Sequence, residues 1–112
     1  MTLPIALLIL FIAAVLEAAG DALVRSGLHA PAIAVKVAFL ALGAAVLFAY
    51  GLVVNSPPWD FGRLLGVYVV FFFIVAQLIN WIFFHQRPSG AILLGGLFIA
   101  AGGAIISFAS LR

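Results

Sequence analysis

Residues 37–59 read VAFLALGAAVLFAYGLVVNSPPW. The stretch has no charged side chain, and its apolar residues do not alternate with polar ones as a membrane barrel strand requires. About twenty such residues, rising about 1.5 Å each, make a helix as long as the roughly 30 Å hydrocarbon core of a bilayer. Asn55-Ser56-Pro57-Pro58 then breaks the run. Outward from this segment the pattern repeats. Residues 1–16, 64–84 and 88–111 are equally free of charged side chains. Turn chemistry sets the boundaries. Pro4, Pro31 and Pro88 suit first helical turns, where a missing N–H costs nothing, and Ser26-Gly27 is a stop signal. The expected helices cover about 3–25, 31–54, 62–84 and 88–111, joined by connections short enough for antiparallel neighbours.

Composition points the same way. Of 112 residues, 68% are hydrophobic and 7% charged, against about 25% charged in a soluble domain. Too little polar surface remains to cover a water-soluble globule. A single all-α domain of four transmembrane helices uses the whole chain and leaves no room for a soluble catalytic domain, so no enzyme and no cofactor are expected. The absence of cysteine excludes a disulfide scaffold and a thiolate metal or redox site. Five Lys/Arg against three Asp/Glu, unclustered, leave no footprint for nucleic acid. His29 and His85 fall in loops without carboxylate clusters, so no metal site is expected. The first run lacks a basic start and has a carboxylate near its end, unlike a cleavable signal peptide.

Charge hardly sets the orientation. Arg63 and Arg112 fall on one side of a four-span chain, and Arg25, Lys36 and Arg87 on the other. Lys36 lies about a turn inside helix 2, and discounting it balances the two sides. Either lipid and partner effects decide the orientation, or the chain inserts both ways and pairs as an inverted dimer.

Chemistry concentrates in Leu16-Glu17-Ala18-Ala19-Gly20-Asp21-Ala22-Leu23-Val24-Arg25. Glu17 falls about three residues past the midpoint of helix 1, about 5 Å from the bilayer centre. Asp21 follows one turn later on the same face, beside small residues that admit a neighbouring helix or a ligand. A carboxylate at that depth costs about 2.5–3.5 kcal/mol even on a mild insertion scale. It therefore faces protein or water. Low dielectric disfavours the charged form of a carboxyl group, which suits proton exchange near neutrality and cation binding once ionised. The plainer readings are an interhelical hydrogen bond for Glu17 and an interfacial ion pair with Arg25, at i+4, for Asp21.

Helix 3 contributes Tyr68, Gln77 and Asn80. At 100° per residue Gln77 and Asn80 are neighbours, sharing a face with Gly66 and Phe73, while Tyr68 points nearly opposite Gln77. Chamber lining and interhelical hydrogen bonding are both open for Gln77 and Asn80. Tyr68 lines a cavity or packs. Trp59 and Trp81 lie at expected membrane boundaries, where aromatic belts form. Phe71-Phe72-Phe73 supplies lipid-facing or packing bulk, or a surface for a flat organic cation. In helix 4, Ile92, Gly95, Ile99, Gly102 and Ile106 form one stripe with Gly96 and Gly103 beside it, a close-packing face. Gly95 and Gly102 are read as a dimer seam in preference to internal packing.

These features together resemble the small multidrug resistance family of the drug/metabolite transporter superfamily. The length and four-span plan are similar. Trp81-Ile82-Phe83-Phe84-His85-Gln86-Arg87 looks like the segment that ends helix 3 in that family, and Glu17 falls at its single membrane-embedded glutamate, with Gly20 and Arg25 at matching offsets. Gly95 and Gly102 match its dimerisation face. Aligned from Trp81, the family's chamber-lining Tyr-x-x-Trp pair becomes Leu65 and Tyr68, and Asp21 replaces an uncharged position, as in a divergent member. Gly62-Arg63 with Gly66-Val67-Tyr68-Val69 is faintly similar to a four-span inner-membrane family of unknown function. The resemblance implies an antiparallel, dual-topology homodimer in the inner (plasma) membrane. Two Glu17 carboxyls would face one chamber, where protons and a small cationic or polyaromatic compound compete. Tyr68 and Asp21 would shape that chamber. The expected function is thus a proton-coupled antiporter. The alternatives are a flippase subunit for a lipid-linked or amphiphilic substrate, and a non-transporting accessory subunit that uses Glu17 to bind a partner helix.

Overall fold

The computed structural model describes residues 1–109. It comprises four α-helices: α1 Leu3–Leu28, α2 Ile33–Val54, α3 Phe61–Phe84 and α4 Gly90–Ala109. Each is long and apolar enough to cross a membrane, and the shortest, at 20 residues, rises about 30 Å. A helix satisfies its own backbone polar groups, the condition for a segment in lipid. The charge of Arg112 and the expected end of helix 4 at Leu111 lie outside the described residues.

The helix ends correct three expectations. Ser26-Gly27 does not stop α1, which continues to Leu28. Gly27 is buried, and a Cβ there would meet Leu40 Cγ and Phe39 Cβ at 3.1 Å; its missing side chain serves close packing on α2 rather than termination. Pro31 and Pro88 lie just before α2 and α4 instead of within their first turns. The cap positions fall later, with extended Ala32 before α2 and Ser89 Oγ accepting from the Ile92 N–H at 3.2 Å at the start of α4. The other ends follow local chemistry. Asp60 caps α3 by accepting from the Arg63 N–H at 3.0 Å. Asn55 Nδ2 and Ser56 Oγ donate to the Gly51 and Val53 carbonyls at 2.8 and 2.7 Å, closing α2. α3 ends on His85, which adopts the left-handed conformation at φ 57°.

The helices lie in a row ordered α2, α1, α3, α4, since α1 packs on α2 and α3, and α4 packs on α3. The row measures 53 × 34 × 19 Å. Opposed contacts give the directions. Gly20 faces Leu47 and Gly43 faces Val24, so α1 and α2 are antiparallel. Gly66 faces Ile106 and Gly96 faces Phe73, so α3 and α4 are antiparallel too. α1 and α3 run in the same direction, for Glu17 meets Tyr68 and, further along both, Arg25 meets Phe84. The buried cluster is small and gathers around Leu10, Ala13, Ala14, Val54, Leu64 and Val67. Outward, Phe48, Phe83, Phe98 and Phe108 are at least 70% exposed. Such a surface is at home among acyl chains, where apolar side chains need no cover.

Lys36 sits in the first turn of α2, and its Nζ donates to the Leu28 carbonyl at 3.3 Å. Its charge is therefore drawn to the end of α1, at the level of the membrane boundary, and counts with Arg25 and Arg87 instead of being discounted.

Candidate functional site

With α1 running to Leu28, Glu17 stands about 2 Å along the axis from the helix midpoint, deeper than the shorter helix implied. Gly20 and Gly27 pack against α2, whereas Ala18, Ala22 and Arg25 line space against α3. At 100° per residue Glu17 points between these two directions. The carboxylate thus opens into the angle where α2 and α3 diverge from α1.

Both flanking helices bring a tyrosine to it. Tyr68 of α3 is buried at 4% exposure, and its hydroxyl donates to Glu17 Oε1 at 2.7 Å. A hydrogen bond to a charged acceptor is about twice as strong as a neutral one. The Tyr50 ring of α2 lies 5.7 Å from that of Tyr68, tilted by 35°, and Phe72 extends the aromatic wall with its centroid 6.3 Å from Tyr68. Tyr50 did not emerge from the sequence reading. Its signal was present, because between Val37 and Val54 no other side chain has a polar atom.

Asp21 is exposed, one turn along the same face. The interfacial ion pair with Arg25 is not formed, and among the described residues nothing hydrogen-bonds the Asp21 carboxylate. The Arg25 guanidinium lies over the Phe84 ring instead, 5.9 Å from its centroid. Asp21 lines a cavity of about 170 Å³ between α1 and α3 together with Ala18, Arg25, Phe72 and Asn80. A second cavity of about 410 Å³, lined by Ala22, Leu23, Ile79 and Phe83 among others, lies next to it.

The polar residues of α3 therefore separate. Asn80 joins Asp21. Gln77 lies on the side of α3 that carries Val70 and Phe73, toward α4, and its buried Oε1 has no hydrogen-bond partner among the described residues.

A protein of Herpetosiphon aurantiacus described as a UPF0060 membrane protein is 30% identical over 105 residues, covering 92% of this chain and 93% of its own length. The chain belongs to the UPF0060 membrane protein family. No family profile and no solved structure matches it.

In this UPF0060 protein the glycines of α4 divide into two sets. A Cβ at Gly96 would strike the Phe73 ring and one at Gly103 would strike Val70, so these two hold α4 against α3. Around Gly95 and Gly102, the residues read as a dimer seam, a Cβ would meet nothing within 4 Å. Near the helix ends Trp59 lies under the Arg63 guanidinium at 4.6 Å and Trp81 under that of Arg87 at 5.6 Å, matching interfacial anchors whose charge reaches out of the lipid.

Proposed function

We propose that this UPF0060 protein is a divergent relative of the small multidrug resistance transporters and exports small cationic or polyaromatic compounds from the inner (plasma) membrane in exchange for protons. The hydrogen bond from the buried Tyr68 hydroxyl to the mid-span Glu17 carboxylate is the observation that supports this reading. An acid at this depth needs a donor to persist when charged. A hydroxyl supplies one without adding a positive charge, so a cation can still gain from the carboxylate. Proton and substrate then compete for one group. When Glu17 is protonated the organic cation loses its counter-charge and leaves; when it is ionised the cation binds, held against Tyr50, Tyr68 and Phe72 by ring faces. No covalent bond is made or broken. Open space around Gly95 and Gly102 suits a second copy, and a difference of only three basic residues against two is a weak orientation signal, so an antiparallel homodimer is the proposed assembly.

Reconstitution tests the reading. In liposomes under an imposed pH gradient, added organic cation should release protons from the native protein and not from Glu17→Gln. Equal flux in both forms excludes Glu17 as the coupling site. A folded protein without transport in either form would favour an accessory subunit.

A further inference from the structure

We propose that the groove between α1 and α3 binds an amphipathic amine, with the ammonium between Asp21 and Asn80 and the hydrocarbon chain along Ala22, Ile79 and Phe83. The inference rests on the transport reading for its purpose and deepens it by naming the substrate class, but its test reads binding alone.

Three observations converge on this groove. First, its polar groups are free to receive a ligand. Among the described residues nothing hydrogen-bonds the Asp21 carboxylate or the Asn80 side chain, although both line the same 170 Å³ cavity. Arg25, the cation best placed to neutralise Asp21, rests on Phe84. An ammonium group would receive a charge-assisted bond from the carboxylate and a second from the Asn80 amide oxygen. Second, the cavity does not end in polar surroundings. It shares Ala22, Ile79 and Phe84 with the 410 Å³ cavity, whose remaining lining is Ala19, Leu23, Ser26 and Phe83. The two together hold a compact polar head and a long apolar tail, as few precisely placed polar groups in an apolar cleft generally do. Third, the groove adjoins the deeper acid. Ala18 and Phe72 line it, Ala18 follows Glu17 in the chain, and Phe72 is the ring next to Tyr68. An amine entering from the lipid would meet Asp21 one helical turn before Glu17.

A single introduced thiol reads occupancy directly, because the chain has no cysteine and Ala22 lines both cavities. The full-length Ala22→Cys protein in phosphatidylcholine nanodiscs is labelled with a small maleimide in the presence of dodecylammonium, tetramethylammonium or dodecanoate. At about nine times its dissociation constant dodecylammonium should slow labelling by about tenfold, the ratio set by nine-tenths occupancy, while the other two leave the rate unchanged. Adding Asp21→Asn should abolish the protection, Asp21→Glu should restore it, and Glu17→Gln should retain it. Protection that survives Asp21→Asn, equal protection by dodecanoate, or a thiol unreactive without amine would overturn the proposal. Because Glu17→Gln is expected to keep the protection, failure of the exchange mechanism is distinguishable from failure of this site.

Discussion

The two sides of α1 are built differently. Against α2 it is interlocked: a Cβ on Gly43 would lie 2.7 Å from Val24 Cγ2 and 3.1 Å from both the Gly20 carbonyl oxygen and the Val24 nitrogen. Against α3 its first half buries Leu10 and Ala14 with Leu64 and Val67, leaving cavities beside Leu7 toward α4, and its second half parts from α3 around two more, one of which reaches Asp21. Glu17 and Tyr68 sit where the packed half gives way to the open one. The contrast teaches that α1 and α2 form one unit, and that any opening toward the acid lies on the α3 side.

Substitutions can break or sharpen that contrast. Gly43→Leu should have the largest effect, a loss of at least about 3 kcal/mol, because backbone cannot yield to the new side chain; thermal unfolding in lipid measures it. Leu10→Ala in the packed half should cost about 2–3 kcal/mol by leaving a void, whereas Ile79→Ala beside existing space should cost under about 1 kcal/mol, and equal values would abolish the distinction between the halves. In the same assay Gly103→Ala should destabilise by about 2 kcal/mol through Val70, with Gly102→Ala changing the monomer by less than about 0.5 kcal/mol. Tyr68→Phe should cost about 1.5 kcal/mol by removing the hydrogen bond to Glu17. Asp21→Asn, which removes an unpaired charge from within the span, should raise stability by about 1 kcal/mol.

Much of the fold was legible because lipid imposes a simple rule: a charge-free run of adequate length spans. The depth of Glu17 and its place on a small-residue face were legible for the same reason. Termination was less so, since Ser26-Gly27 has the composition of a stop, and only the approach of Leu40 and Phe39 shows why Gly27 stays helical. The expected Asp21–Arg25 pair failed because i, i+4 spacing permits an ion pair without requiring one, and the Phe84 ring, distant in sequence, attracts the guanidinium. Tyr68 meeting Glu17 across 51 positions depends on α1 and α3 lying side by side. No local pattern encodes that adjacency, and the same blindness hid Tyr50.

The row order α2, α1, α3, α4 also bears on how the molecule is made. The first hairpin can close alone on its glycines as it enters the bilayer. The connection 55–60 must then cross the starting end of α1 to deliver α3 to the opposite side, and α4 arrives last, packed on α3. The row order is consistent with outward accretion on a first hairpin, and a chain stalled before its third span would hold Glu17 without the Tyr68 hydroxyl that donates to it in the finished molecule.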